Sequence, residues 1–358
     1  MNEDCLKLTT YFGERDRSGG RLLADVLLDI YGEHRAAASI LLRGSEGFGR
    51  LHHRHTDRLL SLSEDLPAVS IAVDSRARVE SLLERVLQVK RRGLVTLERA
   101  RMLTGELGEV RLPDQLGEAT KLTVYVGRHE RAGGRPAFVA VTELLRHLGL
   151  AGATVLLGVD GTRQGRRTRA TFFGSNAEVP TMIIAVGAGD RIAAALPELG
   201  GLLRDPLVTL ERVRVCKRDG LLLARPHSLP GTDERGLAIW QKLMVYTSQA
   251  ATHDGRPLSL EIIRRLRHSE LAGATSLRGV WGFHGDHPPH GDKLFQLRRH
   301  VPVLTITVDT PPRTARAFHI IDELTTEQGL VTSEMVPAVA ALSESEQVGG
   351  LRLSRHDF

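Results

Sequence analysis

Glycine–arginine pairs recur three times in this sequence, each between a strand-like and a helix-like segment. They are Gly20-Arg21, Gly134-Arg135 and Gly255-Arg256. The free N–H groups and the dipole at the start of a helix attract phosphate, and a neighbouring guanidinium adds positive charge. A tight turn alone explains the glycines equally well. The candidate ligand-binding residues of these segments are Gly13, Glu14, Gly20, Arg21, Gly127, Gly134, Arg135, Gly255 and Arg256.

A second glycine-rich connection follows the next strand-like segment of each copy. In the first copy its candidate ligand-binding residues are Gly44, Gly47, Phe48 and Gly49, and in the third they are Gly282 and Phe283. The second copy keeps the glycines but lacks the phenylalanine and gains Arg166, Arg167 and Arg169. We expect a flexible loop with a candidate ligand site that is degenerate or differently selective in the second copy; the alternative is a mobile, solvated hairpin tip without a ligand.

Histidines cluster in the same two connections. Imidazole is a common ligand of zinc, copper and nickel, so a metal site is an alternative prediction. The spacings match no specific ligand signature, which favours histidines that titrate near neutral pH beside a phosphate site. The weak metal candidates are His52, His53, His55, His284, His287 and His290.

Enzymatic patterns are weak. The sequence contains no Gly-x-Ser-x-Gly elbow, His-Glu-x-x-His helix or P-loop. Glu14 and the adjacent pair Glu64-Asp65 are the carboxylates that a small phosphoester hydrolase would use. Adjacent strand residues point to opposite faces, however, so the pair is poorly placed for joint acid–base work. We therefore predict no catalytic residues and keep the hydrolase as an alternative.

Composition restricts the class of protein. Apolar residues make up 41% and charged residues 25% of the 358 residues, which is typical of globular domains. The apolar stretches are too short to span a membrane, and the acidic start lacks the apolar region of a secretory signal, so we expect a cytoplasmic protein. The net charge of +5 favours anionic ligands. Aromatic residues are only 4%, so we expect no nucleic-acid partner.

The elements that must position these residues occur in three diverged copies. Lys7-Leu8-Thr9, Lys121-Leu122-Thr123 and Lys242-Leu243-Met244 each open an alternating strand, and a Leu-Val-Thr triplet closes each copy. Within the first copy, periodicity predicts strand, helix, strand, strand, helix and strand. That βαββαβ order is the ferredoxin-like arrangement, an antiparallel sheet with helices on one face.

The fold class predicted from this order is α+β, with three ferredoxin-like domains. Three sheets can bury their uncovered faces against one another around a threefold axis, so we expect an intrachain pseudo-trimer that remains monomeric. The predicted repeats are repeat 1 (1–104), repeat 2 (119–218) and repeat 3 (237–341), with linkers 105–118 and 219–236 and a flexible tail 342–358.

The first copy resembles a PII-like family catalogued as domain of unknown function 190, also known as uncharacterised protein family 0166. The resemblance rests on Lys7-Leu8-Thr9-x-Tyr11-x-Gly13-Glu14, Arg43-Gly44-x-x-Gly47-Phe48-Gly49 and Leu62-Ser63-Glu64-Asp65-Leu66-Pro67. Leu-Ala-Gly-Ala-Thr segments beginning at Leu150 and Leu271 extend it to the other copies.

This resemblance implies a PII-like trimer of domains that binds small anionic effectors in clefts between neighbours. The expected effector is an adenine nucleotide (AMP, ADP or ATP), and the expected role is regulation of a target protein, with a membrane transporter as one candidate class. The connection from Gly44 to Gly49 occupies the place of the PII effector-sensing loop. Family membership implies no established activity, so function does not follow from the fold.

Overall fold

The computed structural model describes residues 2–49, 54–56, 65–110, 112, 116, 118–170, 178–284, 290–291, 301–343 and 346–356. Within them the chain is α+β: 21 strands join one network of antiparallel pairings, and six short strands form three separate ribbons. Six helices accompany the strands. None of the helices in these residues is long and apolar enough to cross a membrane.

Repeat 1 contains the predicted order of strands and helices, with three additional short strands. Its elements are β1 (Asn2–Gly13), β2 (Arg17–Ser18), β3 (Arg21–Leu22), α1 (Leu23–Glu33), β4 (Ala38–Phe48), β5 (Arg54–Thr56), β6 (Pro67–Ser75), α2 (Arg76–Val89) and β7 (Gly93–Thr104). The main strands pair antiparallel as β4–β6–β1–β7.

Repeats 2 and 3 follow the same plan. Repeat 2 has β8 (Thr120–Gly127), β9 (Arg131–Ala132), β10 (Arg135–Pro136), α3 (Ala137–His147), β11 (Gly152–Leu157), β12 (Asp160–Arg163), β13 (Arg166–Arg169), β14 (Pro180–Gly187), α4 (Gly189–Leu202), β15 (Leu207–Arg212), β16 (Arg214–Arg218) and β17 (Leu221–Leu222). Repeat 3 has β18 (Trp240–Ser248), β19 (Thr252–His253), β20 (Arg256–Pro257), α5 (Leu258–His268), β21 (Ala274–Arg278), β22 (Trp281–His284), β23 (His290–Gly291), β24 (Pro302–Asp309), α6 (Pro311–Leu324), β25 (Leu330–Val336), β26 (Ala338–Leu342) and β27 (Gln347–Gly350).

Alternation along the first strand explains how each sheet is buried on both faces. In β1, Leu6 and Leu8 pack in a cluster with Leu27 of α1 and Val86 of α2. Cys5 faces the other way, into a central cluster that draws residues from all three repeats. Because successive strand residues point to opposite faces, Lys7 must also face the centre. The three repeats therefore share one apolar core in addition to their own helix–sheet cores.

The last strands of the repeats pair with one another in a cycle. The end of β7 pairs with β15 of repeat 2, β16 pairs with β25 of repeat 3, and β26 returns to pair with β7. Each sheet is thus continued by a strand from a neighbouring repeat, which leaves fewer unpaired strand edges.

The C-terminal segment differs from the flexible tail that the sequence predicts. Strand β27 pairs antiparallel with β26, and the carbonyl of Ser354 accepts a hydrogen bond from Arg99 in β7. Ser354 itself is buried. Composition alone suggested a frayed end because the segment is polar and glycine-rich, but its backbone is held by long-range contacts that composition does not encode.

Candidate functional site

The glycine–arginine pairs lie at hairpin tips rather than at helix starts. Gly19 and Gly20 have φ values of 56° and 81° between β2 and β3, and α1 begins only after β3. Two consecutive residues with positive φ are typical of the tight turns that close two-residue hairpins. Gly133-Gly134 and Asp254-Gly255 have the same conformation. The predicted placement of these glycines at a helix N-terminus is therefore not what the structure shows.

The arginines of these hairpins form ion pairs with the helix that follows. Arg21 pairs with Asp29 in α1, and Arg135 lies 2.6 Å from Glu143 in α3. Arg256 lies 3.9 Å from Glu261 in α5. All three guanidinium groups are well exposed, so these contacts stabilise the fold only slightly. They do keep each arginine at the surface beside its helix.

The two residues that precede the first hairpin are also held in place. A side chain at Gly13 would meet Asp65 at 2.0 Å, and Glu14 forms an ion pair with Arg43 of β4. In repeat 2 the backbone N–H of Gly127 donates to Glu130 at 2.9 Å. These candidate residues support the local turn. Of the carboxylates considered for hydrolysis, Glu64 lies outside the described residues.

From Gly44 to Phe48 the second glycine-rich connection is not a free loop, because it pairs with a strand of another repeat. This end of β4, which contains Gly44 and Gly47, pairs antiparallel with β21 of repeat 3. A Cβ on Gly47 would lie 2.7 Å from the carbonyl oxygen of Ala274. The same contact recurs at Gly161 against Ser39 and at Gly282 against Ala153, at 2.1 and 2.3 Å. The glycines therefore permit close approach of two backbones; Gly49, beyond this pairing, is open to solvent.

The phenylalanines of this connection are core residues of neighbouring repeats. Phe48 of repeat 1 is buried in the cluster formed by α5, α6 and their sheet in repeat 3. Phe283 of repeat 3 is likewise buried in the core of repeat 2. The corresponding Thr162 of repeat 2 hydrogen-bonds to Ser39 and to the carbonyl of Ala36 in repeat 1. The sequence suggested ligand contact for the aromatic residues, whereas the structure uses them to join repeats.

The boundary between repeats 1 and 2 carries a chain of ion pairs. Asp29 of α1 accepts from Arg21 of its own repeat and from Arg167 of the β12–β13 hairpin. Arg167 also lies 2.6 Å from Asp160, and Arg169 lies 3.0 Å from Asp25. Burial alone raises the pKa of Asp29, but the hydrogen bonds from Arg21 and Arg167 outweigh it and lower that pKa. Arg167, one of the repeat 2 arginines noted in the sequence, therefore lies beside the candidate residue Arg21 at the boundary between repeats 1 and 2.

A second charged arrangement, which the sequence analysis did not identify, lies on the buried side of the sheets. Each lysine that opens a repeat contacts the glutamate of its own last strand and that of a neighbouring repeat. All six side chains are at least nine-tenths buried. The resulting ring runs Lys7, Glu98, Lys242, Glu334, Lys121, Glu211 and back to Lys7.

The ring is ionic and electrically balanced. Burial by itself disfavours the charged forms. The neighbouring carboxylates nevertheless raise the pKa of Lys7 and of Lys242, and the neighbouring ammonium groups lower the pKa of Glu98. At Lys121 burial outweighs the carboxylates and lowers the pKa of the ammonium group. Carboxylate oxygens of Glu98, Glu211 and Glu334 lie within 4.8 Å of one another. A metal ion there would have to displace ammonium groups that already pair with each carboxylate. The arrangement therefore fits a structural role better than metal binding.

The cavity beside the ring is small. Its volume is about 30 Å³, and Lys7, Lys121, Lys242, Tyr11 and Tyr125 contribute to its wall. Such a volume holds about one or two water molecules and excludes a nucleotide. Burial raises the pKa of Tyr11 and of Tyr125, so both phenols remain neutral. The ring region is therefore not the effector site that the sequence predicts.

The histidine alternative falls largely on residues that the structure does not describe. His52, His53 and His287 lie outside the described residues, and only the backbone of His55, His284 and His290 is described. The metal-site prediction for these histidines therefore stays a prediction.

One signal for the ring was present in the sequence. A Thr-x-Glu triplet occurs in the last strand of each copy, as Thr96-Leu97-Glu98, Thr209-Leu210-Glu211 and Thr332-Ser333-Glu334. In the sheet, Lys7 stands opposite Glu98, Lys121 opposite Glu211 and Lys242 opposite Glu334. Recurrence of one lysine and one glutamate in paired strands is the pattern that would have identified it.

Comparisons with known proteins agree with the three-copy organisation. The family DUF190, described as "Uncharacterized ACR, COG1993", matches residues 5–102, 119–215 and 240–338. A UPF0166 protein from Aquifex aeolicus (strain VF5) is 29% identical over 97 residues, which cover 27% of this chain and 90% of that protein.

A solved structure, aspartate kinase from Synechocystis, aligns with 95% of this chain at 11% identity and a TM-score of 0.26. The chain spans 46% of the length of that kinase, and a TM-score this low assigns neither fold nor function. The three family matches together cover most of the sequence. The chain therefore belongs to the DUF190 (UPF0166) family, of which it carries three tandem copies.

Proposed function

We propose that this chain is a cytoplasmic PII-like regulatory protein that binds an adenine nucleotide or a similar phosphate-bearing effector between repeats 1 and 2. The observation that carries the proposal is that one carboxylate, Asp29, joins Arg21 and Arg167 from two repeats. Two guanidinium groups that converge on one anionic group form the arrangement that also binds a phosphate.

The proposal includes three ferredoxin-like repeats in an intrachain pseudo-trimer. Three features support it: the shared element order, the cyclic pairing of last strands, and the six-residue ring in which each contact type recurs once per repeat. The same features support repeat boundaries near residues 104, 119, 218 and 237. In a pseudo-trimer each boundary between repeats is a place where an effector can contact two sheets at once.

The proposed site is specific to one of the three boundaries. Among the described residues, Arg167 and Arg169 of the hairpin β12–β13 form ion pairs with α1 of repeat 1, whereas Arg135 and Arg256 pair only with helices of their own repeats. Arg21 and Arg169 are more than half exposed, so an anion can reach them from solvent. A phosphate would compete with Asp29 for the same donors.

Regulation follows from that competition. An effector that takes the place of Asp29 breaks the ion pair between Arg167 of the β12–β13 hairpin and Asp29 of α1. Its own negative charge then pairs with Arg167 and Arg21 instead. The effector shifts the equilibrium between two positions of the hairpin only to the extent that it binds one of them more tightly than the other. In this proposal the hairpin is the segment to which a target protein, such as a membrane transporter, would bind.

Calorimetric titration of the purified chain with AMP, ADP, ATP and adenosine tests the site. We expect Arg21→Gln and Arg167→Gln each to weaken nucleotide binding by roughly tenfold, because each removes one charge-assisted hydrogen bond. Asp29→Asn removes the competing carboxylate and should strengthen binding. Arg135→Gln, the same hairpin position in repeat 2, is the matched control and should bind as the unaltered chain does.

Three outcomes point elsewhere. Unchanged binding in both arginine variants, or weaker binding in Asp29→Asn, contradicts the proposed site. Thermal stabilisation by zinc or copper but by no nucleotide favours the histidine alternative. Turnover of a generic phosphoester that is lost in Glu14→Gln favours a small hydrolase.

A further inference from the structure

An arginine-lined cavity of about 340 Å³ lies between repeat 1 and the C-terminal segment. Its positive charge comes from Arg76 of α2, Arg99 of β7, Arg235 of the second linker, and Arg352 and Arg355 near the chain end. It is far larger than the cavity beside the ring and within the range of small-molecule sites. The region plays no part in the effector site proposed above.

The chain end is fixed against repeat 1 by polar contacts. Asp233, which is buried, accepts hydrogen bonds from the backbone N–H groups of Arg235, Leu237 and Arg355, each at 2.9 Å. Arg235 donates to the carbonyl of Leu353 at 2.9 Å, and Arg99 donates to the carbonyl of Ser354. The wall of the cavity is thus built from three separate parts of the chain. Such a preformed wall reduces the conformational entropy that the protein must lose when a ligand binds.

The charge in this cavity is not balanced by the acids around it. Among the described residues that line the cavity, Glu80 is the one carboxylate, and it lies 2.8 Å from Arg76. Asp233 neutralises part of Arg235 at 3.4 Å. Among the described residues, the guanidinium groups of Arg352 and Arg355 form no ion pair with a carboxylate, and both residues are exposed. The guanidinium groups of Arg352 and Arg355 are therefore available to bind an anion.

The remaining wall is apolar. Leu83 and Leu97 contribute from repeat 1, and Leu351 and Leu353 contribute from the chain end. Leu97 is 1% exposed and the other three are half-buried. An apolar wall beside arginines favours a ligand with an apolar body and an anionic end over a fully polar ion.

We propose that this cavity, which we call the tail pocket, binds a small phosphate monoester with an apolar body. The planar guanidinium matches phosphate oxygens two at a time, and several arginines around one cavity favour a dianion. The concave shape and the leucines favour a small molecule over an extended nucleic acid, which would need a continuous basic track. The ligand contacts Arg352 and Arg355 with its phosphate and the four leucines with its apolar part.

Calorimetric titration of the full chain with phenyl phosphate, inorganic phosphate and phenol tests the tail pocket. We expect phenyl phosphate to bind more tightly than inorganic phosphate, because only the ester reaches the leucines, and phenol not to bind. In the double variant Arg352→Gln/Arg355→Gln, binding of phenyl phosphate should weaken by about tenfold or more. Neither guanidinium contributes a described hydrogen bond, so the fold should persist, and the thermal midpoint checks this.

Matched variants separate this pocket from the site between repeats 1 and 2. Arg204→Gln/Arg267→Gln removes the same charge from repeats 2 and 3, away from both proposed sites, and should leave phenyl phosphate binding unchanged. Arg352→Gln/Arg355→Gln keeps Arg21 and Arg167, so ATP binding between repeats 1 and 2 should be unchanged in it. Absence of binding by both phosphates, or equal weakening in the two double variants, overturns the proposal. Binding of an oligonucleotide without binding of phenyl phosphate overturns it in favour of a polyanion surface.

Discussion

The ammonium group of Lys121 in repeat 2 lies 2.5 Å from a carboxylate oxygen of Glu334 in repeat 3, and both side chains are almost fully buried. Equivalent pairs join Lys7 to Glu211 and Lys242 to Glu98. Because burying an unpaired charge is costly, arrangements that separate these partners are strongly disfavoured. The ring therefore selects the relative placement of the three repeats, and the apolar core around it supplies most of the stability.

Removal of one ring member should be strongly destabilising. Lys121→Met leaves Glu211 and Glu334 each without one ammonium partner in a buried site. We expect the free energy of unfolding to fall by roughly 3–5 kcal/mol, the usual cost of an uncompensated buried charge. Urea denaturation followed by circular dichroism measures this change.

Two companion variants test the cause. Arg76→Gln breaks the exposed pair with Glu80 and should cost less than about 1 kcal/mol. Lys121→Met/Glu334→Leu removes both charges and should recover part of the stability lost in the single variant. A single variant that is no less stable than Arg76→Gln would show that the ring is not charged in the folded chain.

Acid should destabilise the fold through the same ring. Burial alone raises the pKa of Glu98 and of Glu211, but the lysines outweigh it and lower both below the ordinary value of 4.5. The unfolded chain therefore binds protons at these glutamates before the folded chain does. The stability they contribute is present above about pH 4.5 and is lost as the pH falls toward their folded pKa values.

Thermal unfolding between pH 7 and pH 3 measures this loss. We expect the thermal midpoint to fall steeply below about pH 4.5. Glu98→Gln should be less stable at pH 7 yet lose less on acidification, because it has one fewer carboxylate to protonate. Equal acid sensitivity in the variant and the unaltered chain would contradict the assignment.

Local patterns in the sequence predicted the order of elements well. Periodicity predicted strand, helix, strand, strand, helix and strand in the first copy, and β1, α1, β4, β6, α2 and β7 follow that order, because these patterns depend on a few neighbouring residues. The family was also predicted correctly from short motifs. These features are encoded within one repeat.

Features that depend on two repeats could not be read in the same way. The glycine at position 47 looks like a flexible loop residue, but its role depends on a carbonyl more than 200 positions away in Ala274. Lys7 looks like an exposed strand residue until the partner Glu211 is known. The sequence pattern gives the residue types, whereas contacts between repeats decide what those residues do.

A buried lysine in repeat 1 should give the protein an unusual response to alkaline pH. Lys90 follows α2, donates to the carbonyl of Tyr11 at 2.8 Å and lies 5.3 Å from the centre of the Phe12 ring. Burial lowers its pKa to about 7. Between about pH 7 and pH 10 the unfolded chain holds a proton at this site that the folded chain lacks, so its contribution to stability rises with pH.

Lys90→Met should reduce that rise. The free energy of unfolding should increase between pH 7 and pH 9 by about 1–2 kcal/mol less in the variant than in the unaltered chain. Leu203 occupies the corresponding position after α4, which indicates that an apolar side chain fits there. Urea denaturation at a series of pH values measures both slopes, and identical slopes would show that Lys90 stays protonated when folded.

Two glycines two positions apart should respond in opposite ways to the same substitution. Gly47→Ala places a methyl group 2.7 Å from the carbonyl oxygen of Ala274, so β4 and β21 must move apart. We expect a loss of roughly 1–3 kcal/mol, the usual cost of overpacking. At Gly49 nothing lies within 4 Å of the added methyl group, so Gly49→Ala should be neutral or slightly stabilising.

Hydrogen exchange adds a readout that links the loss to the boundary between repeats 1 and 3. In Gly47→Ala the backbone amides of β21, from Ala274 to Leu277, should exchange faster, because they lose part of their pairing with β4. The amides of β11 in repeat 2 do not touch this boundary and should exchange as before. Equal stability and exchange in the two glycine variants would mean that the strands of repeats 1 and 3 do not approach each other in solution, because a methyl group at position 47 would then have met no obstacle.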